Sequence, residues 1–179
     1  MKNHIRFLDI FKFVFWCYAW FAMKKEVIII LPDIRSSLNV GSIFRTADAC
    51  GIDKIYLTGY TPAPIDRFGR ADKQIAKTAL GAEKSVAWEK TEDVSKLLTK
   101  LKKEGFYLIA VEQASNSVDY KKVKIKEKTV FIFGNEVDGL PKNILKKCDI
   151  VTEIPMKGDK ESLNVSVSAG VALFRILGI

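Results

Sequence analysis

Three polar segments of this 179-residue sequence contain side chains whose types and spacing could bind a phosphate or another polar ligand. The first segment runs from Asn39 to Arg45 and opens a stretch with a helical pattern. In a helix, Gly41 and Arg45 are four residues apart, so a group resting on the bare backbone at Gly41 would meet the Arg45 guanidinium. Such a face suits a phosphate. An ordinary capped helix with an arginine on its surface is the alternative interpretation.

The other two segments lie in the C-terminal part of the sequence. In the second, Gly134 follows an apolar run and could let a ligand lie against the backbone, with the carboxylate of Glu136 beside it. In the third, Ser162 and Asn164 present a hydroxyl and an amide near the predicted start of a helix. Free backbone N–H groups at such a start attract anions and polar ligands. A plain strand-to-helix turn and a serine-capped core helix are the alternatives.

The composition excludes several chemistries. His4 is the only histidine, and the three cysteines are far apart, which disfavours a histidine-based triad, a metal site and a disulfide framework. No dinucleotide-binding or P-loop glycine pattern is present, so a nucleotide-like cofactor would be bound in another way. The net charge of +8 favours a polyanionic partner. Lysine-rich residues 96–103 predict the solvated face of a helix, whereas residues 121–128 could follow a phosphate backbone.

After Met23 the sequence alternates short apolar runs with helical stretches, which predicts an α/β fold with a mostly parallel sheet and helices on both faces. The predicted strands are Val27–Leu31, Lys54–Leu57, Val86–Trp88, Phe106–Val111, Thr129–Phe133 and Ile150–Ile154. The predicted helices are Asn39–Cys50, Thr91–Glu104, Pro141–Lys147 and Ser162–Leu177, with Asn39, Thr91 and Ser162 as N-caps. Each polar segment follows a predicted strand, at the edge where open parallel sheets place their ligand sites.

The first 22 residues differ from the rest in composition. Phe13–Met23 is an uncharged apolar run of eleven residues, shorter than the roughly 20 that a membrane-spanning helix needs. We interpret residues 1–22 as an apolar extension, with Met23 as an alternative start, and expect no membrane anchor. A helix packed on the fold or on a partner, and an export signal, are the alternative interpretations. Residues 23–179 contain no linker or repeat and are expected to form one domain. The cysteine content is typical of a cytoplasmic protein.

Taken together and in this order, the three segments resemble motifs 1, 2 and 3 of the SpoU (TrmH-type) branch of the SPOUT RNA methyltransferases. The resemblance extends from residue 27 to about residue 177. It implies an α/β fold whose C-terminal third forms a deep trefoil knot. It also implies a homodimer that transfers a methyl group from S-adenosylmethionine to a ribose 2′-hydroxyl of tRNA or rRNA. The extra N-terminal RNA-binding domain of some members has no counterpart here, so the RNA target is left open.

The resemblance also implies roles for particular residues. The catalytic set that it implies is Asn39, Arg45, Glu136, Ser162 and Asn164. The set that it implies for S-adenosylmethionine, largely through backbone contacts, is Val111, Gly134, Ile154, Met156 and Leu163.

A guanidinium is protonated at neutral pH, so Arg45 is a poor candidate for a general base. We expect it to hold the RNA phosphate and stabilise the developing alkoxide, while the proton leaves through water or a neighbouring group. Two alternatives remain at this point. One is a non-catalytic RNA-binding protein with the same fold, and the other is an α/β enzyme acting on a small phosphorylated metabolite.

Overall fold

The computed structural model describes residues 25–135 and 137–179 and contains one parallel sheet covered by helices. Its strands are β1 (Glu26–Pro32), β2 (Lys54–Thr58), β3 (Ala87–Thr91), β4 (Tyr107–Val111), β5 (Val118–Asp119), β6 (Lys128–Phe133) and β7 (Ile150–Glu153). Its helices are α1 (Ser37–Ala49), α2 (Lys73–Ala79), α3 (Ala82–Ser85), α4 (Val94–Lys103), α5 (Lys142–Leu145) and α6 (Val165–Leu177), and a 3₁₀ turn covers Tyr120–Lys122. The predicted extension 1–22 lies outside the described residues.

The strand order in the sheet is β3-β2-β1-β6-β4-β7-β5, and every neighbouring pair is parallel. The apolar run of β1 is explained by its central position, because strands covered on both faces have no solvent side. Ile29 and Leu31 pack with α1, α2 and α6, while Ile28 and Ile30 pack with α4 and α5 on the opposite face. This confirms the predicted α/β fold with helices on both faces. The trefoil knot implied by the resemblance stays a prediction.

Two predicted helix starts are wrong by two or three residues. Helix α1 begins at Ser37 because the side chain of Ser36, rather than that of Asn39, caps it and accepts from the Asn39 backbone N–H at 3.3 Å. Helix α6 begins after Asn164, whose Oδ1 accepts from the Ser166 backbone N–H at 2.9 Å, so Ser162 lies in the preceding loop. As a result, Asn39 lies in the first turn of α1 and Ser162 lies before α6, so neither is the N-cap that the sequence predicts.

The region between β2 and α4 contains more structure than the sequence predicts. Helices α2 and α3 were not predicted, and β3 continues through Thr91. Helix α4 is therefore capped by Asp93 instead of Thr91, and the Asp93 side chain accepts from the Lys96 backbone N–H. In α4, Leu97, Leu98 and Leu101 are buried, and its four lysines are exposed, which confirms the predicted amphipathic helix.

None of the helices that the structure describes is both long and apolar enough to cross a membrane.

Candidate active site

The three polar segments meet at one edge of the sheet. They follow β1, β6 and β7, and the strands β1, β6, β4 and β7 are consecutive neighbours in the sheet. Because these strands are parallel, their carboxyl ends lie on the same side. The structure thus confirms the predicted common edge and adds the end of β4 to it.

A cavity of about 130 Å³ opens at this edge, between the ends of β4, β6 and β7 and the start of α6. All five residues implied to bind a cofactor line it: Val111, Gly134, Ile154, Met156 and Leu163. Ser162 of the implied catalytic set lines it as well. Val111 is buried, while Ile154 and Met156 are half-buried and Leu163 is exposed, so one wall belongs to the core and another to an exposed loop.

Asn39 and Asn164, which are 125 residues apart in sequence, contact each other directly. The Oδ1 atom of Asn164 accepts from the backbone N–H and the hydroxyl of Ser166, at 2.9 and 2.6 Å. This fixes the amide so that its Nδ2 donates to Oδ1 of Asn39 at 3.1 Å. The cap of α6 therefore joins the first and third polar segments.

Arg45 does not line the cavity. It is exposed and lies six residues beyond Asn39 on α1, which is about 9 Å along the helix axis. Within residues 25–135 and 137–179, no ion pair involves its guanidinium. Arg45 is thus a cation presented to solvent, away from the cavity.

Gly41 does not leave the open backbone that the sequence suggests. It is buried, and a Cβ placed there would collide with the Ile75 carbonyl oxygen and the Thr78 hydroxyl of α2. The predicted phosphate site on a shared face of Gly41 and Arg45 is therefore wrong, because α2 occupies the space. Gly41 instead permits two helices to pack closely.

Glu112 is a residue of the cavity that sequence reasoning missed. One carboxylate oxygen, Oε2, accepts from the Leu140 backbone N–H at 2.8 Å, and Oε1 accepts from the Gln113 backbone N–H at 2.9 Å. A Cβ at Gly134 would lie 2.5 Å from Oε2, and a Cβ at Gly139 would also collide with this carboxylate. The absence of a side chain at Gly134 and Gly139 thus makes room for the carboxylate of Glu112. Glu136, in the loop between them, lies outside the described residues.

Gln113 was missed in the same way. Its Nε2 donates to the Glu161 carbonyl at 2.5 Å, in the loop that leads to α6. Glu112 and Gln113 therefore tie the end of β4 to the two loops on either side of the cavity. Their position in the sequence could have identified them as candidates. Both directly follow a buried strand whose end lies at the ligand-binding edge of a parallel sheet.

The charged residues lining the cavity, among those that the structure describes, are acidic. They are Glu112 and Glu153, and no lysine or arginine contributes to the lining. The apolar walls come from Val111, Phe133 and Ile154, among others. The described residues contain no cluster of histidine, cysteine and carboxylate side chains that could hold a metal ion. The cavity therefore suits an organic ligand with an apolar part and a positive charge.

Fold and site together define a class: α/β proteins that bind a small organic ligand where the strands of a parallel sheet end. The profile of the family described as "SpoU rRNA Methylase family" matches residues 26–174. The chain belongs to this family.

Individual relatives agree with this assignment. The chain is 30% identical over 172 residues to the 23S rRNA (guanosine-2'-O-)-methyltransferase RlmB of Neisseria meningitidis, an alignment covering 96% of this chain and 63% of the relative. It matches the crystal structure of an AdoMet-bound rRNA methyltransferase from Sinorhizobium meliloti with a TM-score of 0.77 and 26% identity, covering 86% and 56% of the two chains. The A. aeolicus TrmH/SpoU tRNA modifying enzyme gives a TM-score of 0.75 at 27% identity, covering 87% and 77%. The chain spans about three fifths of the curated relatives it matches.

Proposed function

We propose that the protein transfers a methyl group from S-adenosylmethionine to a ribose 2′-hydroxyl of tRNA or rRNA. The observation that carries the proposal is the cavity at the carboxyl edge of the sheet, lined in a SpoU-family chain by all five residues implied to bind the cofactor. The relatives named above act on RNA, and one was crystallised with AdoMet.

The residues of the cavity fit this cofactor in chemical character. When bound, S-adenosylmethionine supplies an activated methyl group on a positively charged sulfonium. The carboxylates of Glu112 and Glu153 complement a cationic ligand, and the wall around Val111 and Ile154 suits the face of an aromatic base. Enclosed ligand pockets have volumes of about 300–1,000 Å³, so in this smaller cavity part of the cofactor would lie against the exposed loop that carries Leu163.

The acceptor would be positioned by the polar residues at the mouth of the cavity. Ser162 lines the cavity, and the Asn39–Asn164 pair stands beside it at the start of α6. Methyl transfer to oxygen requires the donor, the methyl group and the acceptor to be in line, so we assign these side chains to alignment of the ribose. Glu136 remains in the proposed catalytic set on the strength of the resemblance.

Arg45 has a different role in this proposal. It stands away from the cavity, and no acidic side chain of the described residues pairs with its fork of N–H donors, which matches an RNA phosphate that extends beyond the reacting ribose. Its proposed second role, to stabilise the alkoxide as the 2′-hydroxyl loses its proton, rests on the resemblance and not on its position in this fold. A protonated guanidinium does not accept that proton, which we assign to water or a neighbouring group.

We extend the proposal to a homodimer. Helix α6 carries Val167, Gly170, Val171 and Phe174 at intervals typical of one helix face. Val167 and Phe174 are 49% and 40% exposed, and a Cβ at Gly170 would meet no atom within 4 Å. A second copy packed on this stripe would remove these apolar side chains from water. An RNA substrate and the cysteine content support a cytoplasmic location.

Incubation with methyl-labelled S-adenosylmethionine and total cellular RNA tests the proposed activity. We expect label in an RNA fraction with the wild-type protein. No label in any RNA fraction, with binding of RNA retained, would instead favour a non-catalytic RNA-binding protein.

The Arg45→Lys variant tests the assigned role of the arginine. It keeps the charge but loses the bidentate fork, so we expect kcat/KM for RNA to fall about 10- to 100-fold, the value of a charge-assisted hydrogen bond, with unchanged binding of S-adenosylmethionine. Lys103→Ala removes an exposed charge on α4, on the opposite face of the sheet, and serves as the matched control. Full activity of Arg45→Lys would contradict bidentate phosphate holding.

A further inference from the structure

An exposed hairpin lies between β2 and α2, and the proposed catalytic roles do not involve it. It comprises residues 64–72 and is called the basic hairpin below, after Arg67 and Arg70 at its tip, although Asp66 and Asp72 balance their charge. An antiparallel bridge between Ile65 and Ala71 pairs its two sides, and the Asp72 backbone N–H closes its base by donating to the Pro64 carbonyl at 3.0 Å. The hairpin is thus closed at its base by main-chain hydrogen bonds.

Asp66 organises the tip of the basic hairpin. Its Oδ1 accepts from the backbone N–H groups of Phe68 and Arg70, at 2.8 and 2.9 Å, and its Oδ2 accepts from the Arg70 guanidinium at 2.8 Å. The hydrogen bond from the Arg70 backbone, followed by the pairing with its side chain, lowers the pKa of Asp66. The carboxylate therefore stays charged at neutral pH and holds the tip in one conformation.

The tip presents an aromatic ring with two guanidinium groups against it. Phe68 is 66% exposed, and the Cζ atoms of Arg67 and Arg70 lie 4.8 and 5.0 Å from its ring centroid. Arg70 is paired with Asp66, whereas Arg67 has no ion pair within the part of the chain that the structure describes. An exposed ring beside cationic planes is the arrangement on which unpaired bases stack in proteins that bind single-stranded nucleic acid.

The base of the hairpin is tied to the candidate active site. Asp72 Oδ2 accepts from the Ser37 hydroxyl at 2.7 Å, at the first residue of α1. Asn39, two residues further on, contacts Asn164. Partial burial would raise the pKa of Asp72, but the hydrogen bonds from Ser37 and from backbone N–H groups of α2 outweigh it, so the pKa is lowered and the link stays charged. The base of the basic hairpin is therefore connected, through the first turn of α1, to the Asn39–Asn164 pair at the candidate active site.

We propose that the basic hairpin binds an unpaired nucleotide of the RNA substrate next to the methylated one. The base stacks on the ring of Phe68, and Arg67 binds the neighbouring phosphate. This inference rests on the proposed function, because RNA is the ligand that brings a base and a phosphate to this edge. It assigns the hairpin a task that neither the cavity nor Arg45 performs, which is to fix the nucleotide flanking the reaction.

Fluorescence anisotropy with two probes tests the inference: a short single-stranded oligoadenylate and an abasic ribose-phosphate chain of the same length. We expect Phe68→Leu to weaken binding of oligoadenylate about 5- to 100-fold, without changing binding of the abasic chain. Phe68→Trp keeps a stacking surface and should retain affinity. Arg67→Ala should weaken binding of both probes and lower the salt dependence by about one phosphate contact, whereas Lys103→Ala should change neither.

Three results would overturn the inference. They are equal oligoadenylate binding by Phe68→Leu and the wild type, no measurable wild-type binding to the oligoadenylate, and a change of oligomeric state in Phe68→Leu, which would assign the ring to a protein contact. Failure of the proposed function would look different. A protein that transfers no label to RNA, yet binds oligoadenylate through Phe68, keeps the hairpin inference and loses the activity. A protein that methylates RNA normally, but binds oligoadenylate without dependence on Phe68, keeps the proposed activity and loses the hairpin inference.

Discussion

The carboxylate of Glu112 holds the loop after β6 against the cavity, and replacing it should loosen that loop. In Glu112→Ala, the Leu140 backbone N–H loses its acceptor in a half-buried place. A hydrogen bond to a charged acceptor contributes about 1.5–3 kcal/mol, and partial exposure favours the lower part of that range, so we expect a loss of about 2 kcal/mol. For a domain of this size, that corresponds to a decrease in Tm of roughly 4–8 °C.

Hydrogen exchange at the Leu140 amide measures the predicted local effect directly. Its protection should fall in Glu112→Ala and stay near the wild-type value in Glu112→Gln, because the single carbonyl oxygen of glutamine can still accept from Leu140, while the exposed Gln113 backbone N–H can turn to water. If the carboxylate also complements the cofactor, Glu112→Gln should bind S-adenosylmethionine more weakly while its Tm changes little. Calorimetric titration separates these two effects.

A matched control is available in Glu83. Its Oε2 accepts from the Gly81 backbone N–H at 3.0 Å, in an exposed turn before α3. Glu83→Ala should lower stability by about 1 kcal/mol or less and leave cofactor binding unchanged. An unchanged Tm and unchanged Leu140 protection in Glu112→Ala would refute the assignment of Glu112 as the anchor of the loop.

Three further predictions concern other parts of the molecule. Gly41→Ala should destabilise the protein by about 1–3 kcal/mol in thermal unfolding, because the added Cβ meets the backbone of α2, whereas Ser42→Ala beside it should stay within about 0.5 kcal/mol. Phe174→Glu should convert a dimer to monomers in analytical ultracentrifugation, because it places a charge in the exposed apolar stripe of α6. Burial, reinforced by the adjacent Asp149, raises the pKa of Cys148 to about 12, so iodoacetamide at pH 8 should modify this thiol roughly a thousandfold more slowly than a free thiol, as mapped by mass spectrometry.

Each of these predictions has a result that contradicts it. An unchanged Tm in Gly41→Ala would show that α1 and α2 can move apart without loss of stability. A wild-type protein that sediments as a monomer, or a Phe174→Glu variant that stays dimeric, would remove α6 as the contact between copies. Rapid alkylation of Cys148 in the folded protein would mean that water reaches the thiol.

The fold was predictable because its central strands, β1, β2, β4 and β6, are covered on both faces. The run from Val27 to Leu31 has no polar residue, and such a run followed by a helical pattern specifies a strand of a parallel sheet. The region from 64 to 85 was not predictable in the same way, because its helices are short and its hairpin is held by the side chain of Asp66 rather than by an apolar pattern. Local side-chain hydrogen bonds of this kind leave little periodic signal.

The candidate site was predictable in its location but not in its contacts. The rule that ligand sites lie at the carboxyl ends of parallel strands identified the correct edge. The pairing of Asn39 with Asn164 and the covering of Gly41 by α2 depend on how distant segments pack, which spacing along the chain does not encode. Glu112 and Gln113 directly follow a predicted strand, and only the folded chain shows that their side chains reach two other loops.

The chemical position of the transferred methyl group tests the central claim most directly. RNA labelled by the protein from S-adenosylmethionine is hydrolysed with alkali, which cleaves every linkage that has a free 2′-hydroxyl beside it. A 2′-O-methyl group protects its linkage, so the account predicts that the label appears in alkali-resistant dinucleotides, which also identify the methylated nucleotide. Label recovered only in mononucleotides would place the methyl group on a base and contradict the account.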